Sequence, residues 1–91
     1  MKWFKMIYYN LIYGKIEYSA LKYNGKVYTG RNHAECFLQE PKGVLRNAEQ
    51  GFVTTKGRFV ERKKALKIAK FYNQVKHKHC PEDRLLSEDM I

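Results

Sequence analysis

Three arginines stand where elements begin or end: Arg31 after a first strand-like ribbon, Arg58 after the turn of a second, and Arg62 at the start of the longest helical pattern. A guanidinium fork in such a place recognises phosphate through two parallel hydrogen bonds. A helix N-terminus adds unpaired backbone N–H groups and a favourable dipole. Phe52 and Phe59 share the second ribbon and offer flat faces on which a base would stack. Core packing is the ordinary alternative for both rings. Together these residues suit a nucleotide or a strand of nucleic acid.

Other chemistries fit less well. His33 and Cys36 are spaced as H-x-x-C, and His77, His79 and Cys80 as H-x-H-C. These are ligand types for tetrahedral zinc, but the spacing matches no common zinc module and the flanking lysines repel a cation. No metal and no cofactor is expected. No carboxylate pair, nucleophile-elbow serine or phosphate-cradling glycine loop is present, so the expectation is a protein that is not an enzyme. Lys63, Lys67 and Lys70 fall on one side of the main helix, with Lys76 and Lys78 beyond it. Such a face is ordinarily just solvated; its functional alternative is to track a nucleic-acid backbone.

The whole chain bounds these readings. Ninety-one residues make one small domain, and 44% hydrophobic with 30% charged residues is a globular composition. Eighteen basic against nine acidic residues give a net charge of +9, which calls for an anionic partner. Four of the nine acids lie in the last ten residues, leaving 17 basic and five acidic side chains in residues 1–80. That acidic tail is expected to fold back on the basic body or reach a neighbouring copy. A domain this small is marginal alone, which favours a homo-oligomer. No apolar run approaches the roughly 18 residues that span a bilayer, and Lys5, Asn10 and Lys15 interrupt any signal-peptide core. With only two cysteines, a reduced cytoplasmic protein with no membrane partner is expected.

The elements that must position these residues read as follows. Residues 1–15 are an aromatic N-terminal extension whose apolar spacing suits a helix and whose residue types suit a strand. Glu17–Tyr23 and Lys26–Thr29 form a ribbon around Asn24-Gly25, the signature of a two-residue type I′ turn. This register pairs Tyr23 with Lys26 and Leu21 with Tyr28. Asn32 and Glu35 have capping-box spacing before a short helix that ends ahead of Pro41. Gly43–Gln50 reads as a loop. A second ribbon, Phe52–Thr55 and Arg58–Val60, turns at Lys56-Gly57. The main helix is expected from Glu61 to about Gln74, burying Ala65, Ile68, Ala69, Tyr72 and Val75. The fold class is α+β: two antiparallel β-ribbons packed on one main C-terminal helix, with a short helix after the first ribbon. Residues 16–75 form the core and 76–91 a tail.

Residues 51–65, GFVTTKGRFVERKKA, resemble a pattern of many small tailed-phage proteins that reads GFVTSKGRFVDRKEA and is followed by a helix and a Ser-Glu-Asp-Leu-aromatic ending. Here that ending is Ser87-Glu88-Asp89-Met90-Ile91, and Gly25–His33 is similar to the family's GKVYxGxRH stretch. The resemblance covers roughly residues 16–91. Glu61 stands where the family has Asp, which implies a weaker helix cap, and Met90-Ile91 replaces the Leu-aromatic pair, so that end lacks the family's aromatic ring. The family is similar to the first described type of anti-Thoeris proteins. Those are oligomeric phage sponges, hexamers, that trap a cyclic ADP-ribose signal made by bacterial TIR-domain proteins; some also hold cyclic trinucleotides.

The resemblance implies a phage anti-defence protein in the bacterial host cytoplasm that sequesters a phosphorylated nucleotide without cleaving it. Arg31, Arg58 and Arg62 would then hold the diphosphate, Phe52 or Phe59 would stack the adenine, and His33 and Asn73 would meet the ribose hydroxyls. The alternative is a basic protein that binds nucleic acid through Lys63, Lys67, Lys70, Lys76 and Lys78, or blocks a nucleoprotein defence complex as anti-CRISPR proteins do.

Overall fold

The computed structural model describes residues 2–79 and 82–90, with side chains from Ile7 onward. The undecided N-terminal segment is a helix, α1 (Lys2–Ile12). Strands β1 (Ile16–Tyr23) and β2 (Lys26–Gly30) follow, then a short helix α2 (His33–Phe37). After a looped stretch come β3 (Glu49–Thr54), β4 (Phe59–Glu61), the main helix α3 (Arg62–Phe71) and a closing 3-10 helix (Ser87–Met90).

Both ribbons form, the first with the expected register. Leu21 pairs with Tyr28 and Tyr23 with Lys26 across a turn in which Asn24 and Gly25 take φ of 50° and 79°, the left-handed pair a type I′ turn requires. β3 starts three residues earlier than the pattern suggested, because Glu49 and Gln50 pair with Lys22 and Leu21 of β1. That antiparallel pairing fuses the two ribbons into one four-stranded sheet of order β2-β1-β3-β4.

One sheet face is covered and the other is open. On the covered face Phe52, fully buried, and Val60 meet Ala65, Leu66, Ile68 and Ala69 of α3. Leu66 lies outside the predicted stripe. Tyr9 of α1 and Leu85 of the tail join this cluster, so the core reaches past residues 16–75 on both sides. A second cluster of Leu21, Tyr28, Cys36 and Leu45 lies under α2. α1 is held to α3 by Tyr9 edge-on to Phe71 and by the Lys64 ammonium 5.1 Å from the Tyr13 ring.

The main helix stops at Phe71, three residues short of the expected end. Asn73 takes φ of 58°, its N–H bonds Lys70 O at 3.1 Å, and Gln74 N–H bonds Ala69 O at 2.7 Å. This is a Schellman stop, with asparagine in the left-handed position that glycine usually fills. The Gln74 amide then grips β1, accepting from Ile16 N at 3.0 Å and donating to Ile16 O at 2.9 Å.

Gly51 faces the open side, where an added Cβ would collide with the Val60 carbonyl and lie 2.6 Å from Phe59 Cζ. The Phe59 ring therefore lies across bare backbone. Gly51→Ala is expected to destabilise the domain by about 2 kcal/mol, lowering the melting temperature by about 8–16 °C in calorimetry.

Candidate functional site

Two clefts meet at the first residue of α3. The Arg62 guanidinium donates from Nη2 to Gln50 Oε1, while its Nε is buried without a hydrogen-bond partner. Arg62 forms the wall between two clefts. One, of about 410 Å³, is lined by Ala48, Gln50, Glu61, Arg62, Lys63 and Arg84. The other, of about 390 Å³, is lined by Asn32, His33, Ala34, Arg62, Ser87 and Glu88. Burial pushes the guanidinium pKa below its ordinary value; Glu88 and Asp89 oppose this and Arg84 adds to it. The group stays charged all the same. A half-buried cation with an unused N–H, flanked by Lys63 and Arg84, can take an anion.

The helix start itself is already occupied. The Glu61 carboxylate accepts from Lys63 N at 2.9 Å and Lys64 N at 2.7 Å, so the N-terminal amides that would greet a phosphate are capped. Glutamate, standing where the resembled pattern has aspartate, reaches both donors.

His33 lines the second cleft, and both of its ring nitrogens are engaged inside the fold. Its Nε2 lies 2.8 Å from the Gly51 carbonyl, which requires N–H there and leaves Nδ1 to accept from the Ser87 hydroxyl at 2.7 Å. Ser87 Oγ in turn accepts from His33 N at 3.3 Å and sits 2.7 Å from Ser19 Oγ. The ring packs edge-on to Phe52 at 5.0 Å. Ser87 and His33 have the spacing of a nucleophile and its base, but the oxygen of Ser87 is taken up inside the fold. Burial lowers the His33 pKa, the Gly51 carbonyl opposes this, and the Arg62 charge adds to it.

The remaining predicted residues scatter. Phe52 is 0% exposed and cannot stack a ligand. Phe59 pairs with Val53 and so lies on the open face, whereas Arg62 bonds Gln50 on the covered face; one chain cannot bring them to one guest. Arg31, beyond the β2 edge, is tied to Glu35 at 2.8 Å. Arg58 lies in the β3–β4 turn at the opposite edge, exposed, with its backbone N–H on Thr54 Oγ1. Edge strands of a four-stranded sheet lie about 14 Å apart, so these three arginines form no single fork. Asn73 is the helix stop. Lys63, Lys67 and Lys70 are exposed along α3, as is Lys76, while Lys78 bonds Asp89 Oδ2 at 3.0 Å.

The histidine and cysteine groups stay apart as well. Cys36 is buried and donates to Ser19 O and Asn32 O, each at 3.4 Å. His79 turns to Asp89, and Cys80 lies outside the described residues. Among the described residues no three metal-ligating side chains converge.

Sequence reasoning missed Gln50, Arg84, Ser87 and Asp89. Asp89 is fully buried and accepts from Leu86 N, His79 N, the His79 ring and Lys78 Nζ at 2.8–3.0 Å. Burial alone would raise its pKa, but these donors outweigh it and hold the carboxyl at about 2. Ser87 and His33 are 54 residues apart, and no local pattern signals such a pair.

A family model described as Phage T4 y16D protein matches residues 15–91. The chain belongs to that family and is thus a small phage protein. Neither the curated proteins nor the solved structures contain a match. Among the described residues no helix is long and apolar enough to cross a membrane.

The tail contacts set the response to acid. Unfolded Asp89 takes up a proton near its ordinary value of 3.8 and folded Asp89 only near 2. Its contribution, about 2 kcal/mol, is therefore full above pH 4 and lost as pH falls to 2. Buried His33 also resists protonation, so stability begins to fall as pH drops below about 6.5. Denaturant titrations of wild type and Asp89→Asn across pH 2–7 should converge at the acid end and separate above pH 4.

Proposed function

We propose that this chain is a non-enzymatic phage anti-defence protein that binds and sequesters a phosphorylated nucleotide in the host cytoplasm. The observation that carries the reading is Arg62, half-buried with an unpaired Nε between two clefts and accompanied by Lys63 and Arg84. Its phosphate contacts differ from those expected from sequence. Arg62, Lys63 and Arg84 take the place of the Arg31, Arg58 and Arg62 set, because only they line a common cleft. A sponge needs affinity and no reacting group, and a preformed concave site with few convergent polar groups suits that task. The anti-Thoeris resemblance names the guest class: a cyclic ADP-ribose isomer or a cyclic oligonucleotide.

The second reading, nucleic-acid binding, draws on the exposed row Lys63, Lys67 and Lys70 of α3. The two differ in salt response. Tracking several phosphates loses orders of magnitude in affinity between about 50 and 200 mM salt, with a slope of about 0.9 per phosphate on duplex DNA. One clasped diphosphate gives a slope of about two or less.

Calorimetry with ADP-ribose, its cyclic isomers and a cyclic trinucleotide tests the proposal. Arg84→Ala removes a half-exposed side chain and should weaken binding about 10–100-fold, as loss of a charged hydrogen bond implies, while the melting temperature stays put. No binding of any of these probes by wild type, or equal binding by Arg84→Ala, overturns it. A steep salt slope with duplex DNA in place of nucleotide binding supports the lysine row instead.

A further inference from the structure

The site above makes no use of α1, which precedes the stretch matched to the phage family. One side of this helix is fixed to the body. Tyr9 is buried against Phe71, Tyr13 meets the Lys64 ammonium, and Asn10 accepts from the Tyr72 hydroxyl. The side turned away is apolar. Leu11 is 72% exposed, Tyr8 49% and Ile7 39%. Ile7 and Leu11 are one turn apart and stand one above the other. In the sequence of the same helix, Trp3 and Phe4 come one turn ahead of Ile7. A surface helix ordinarily turns its polar residues outward; α1 reverses this.

The charge near the helix has one sign. Residues 1–16 carry Lys2, Lys5 and Lys15 and no acid. The β3–β4 turn is seated on the end of α1: Thr55 N–H bonds Lys15 O at 2.9 Å and Lys56 N–H bonds Tyr13 O at 3.2 Å. That contact brings the exposed Lys56 and Arg58 to the same end of the helix as the exposed Lys15. Among the described residues, no carboxylate pairs with any of these three side chains.

We propose that α1 lies flat on an anionic phospholipid bilayer, its apolar side sunk into the headgroup boundary and its basic collar against the lipid phosphates. Charge selects this occupant. A chain of +9 with an apolar helix beside unpaired cations is drawn to a negative surface and repelled by its own twin. The rings agree, because tryptophan and tyrosine settle at a membrane–water boundary. Length decides the mode. Eleven residues extend about 16 Å, half of the roughly 30 Å of hydrocarbon, so α1 rests on the bilayer and does not span it. The expectation of no membrane partner rested on the lack of a spanning run, which a surface-lying helix does not need. The attachment is reversible, each cation near the surface adding about fivefold in affinity.

The test is co-sedimentation of the full chain with phosphatidylcholine vesicles, with and without about one-third phosphatidylglycerol, at about 100 mM salt. Emission from Trp3, the chain's single tryptophan, gives a second readout. Wild type should pellet with the anionic vesicles, its emission shifting to shorter wavelength, and bind the neutral ones at least about tenfold more weakly. Ile7→Gln with Leu11→Gln keeps the net charge and installs good helix formers. It should weaken binding at least about 30-fold, since burying each aliphatic side chain is worth about tenfold, with the melting temperature unchanged because both side chains are exposed. Lys56→Gln with Arg58→Gln should weaken binding about 20-fold. Failure of wild type to pellet with the anionic vesicles overturns the proposal. So does equal binding to neutral vesicles, or equal binding by the Ile7→Gln, Leu11→Gln chain. A wild type that self-associates without lipid, and loses this on Ile7→Gln with Leu11→Gln, gives the face to a second copy and overturns it too. The inference does not rest on nucleotide binding: the Ile7→Gln, Leu11→Gln chain should bind nucleotide as wild type does, so the two readings fail separately.

Discussion

The buried carboxylate of Asp89 is the constraint on which the rest of the molecule depends. An ion cannot be taken out of water unless its lone pairs are satisfied, and here four donors from Leu86, His79 and Lys78 do so. With that anchor set, the acidic tail folds back on the basic body, Leu85 enters the main core, and Ser87 reaches His33. Leu85 N–H bonds the Arg62 carbonyl at 3.0 Å, which holds the tail against the start of α3. Arg84 is then carried to the cleft beside Arg62. The cationic cleft is a product of tail docking rather than of the helix alone.

The sheet divides the labour between its faces. The covered face holds Arg62, Gln50, His33 and Ser87 in one polar seam at the margin of an apolar core. The other face carries Phe59 and Tyr18 with little net charge. Within one chain, therefore, the Arg62 guanidinium and the Phe59 ring face opposite ways.

The local features were legible in the sequence. Asn24-Gly25 specified its turn and register, Asn32 and Glu35 marked the start of α2, and the Ala65–Ile68–Ala69 stripe found the buried side of α3. These depend on neighbours within a few residues. What escaped was set by contacts across the chain. The β1–β3 seam fused two ribbons into one sheet, and α3 covering one side of it left Phe59 and Arg62 facing opposite ways. α1 combined helical spacing with strand-forming residue types, and burial of Tyr9 against Phe71 decided for the helix. The acidic tail and its Ser-Glu-Asp ending are visible in the sequence, but the roles of Arg84, Ser87 and Asp89 are not, because no local pattern shows a donor set drawn from residues 78, 79 and 86. Asn73, whose residue type suits a polar ligand group, serves as a left-handed stop.

The strand order also has a kinetic consequence. Each hairpin closes over a two-residue or similarly short turn, so both can form early at small entropic cost. The seam between them closes a loop that includes β2, α2 and the stretch before Glu49. Zipping that central seam is the slow, non-local step of folding, and the barrier crossing should be reported by Ser19 and Phe52, which face each other across it.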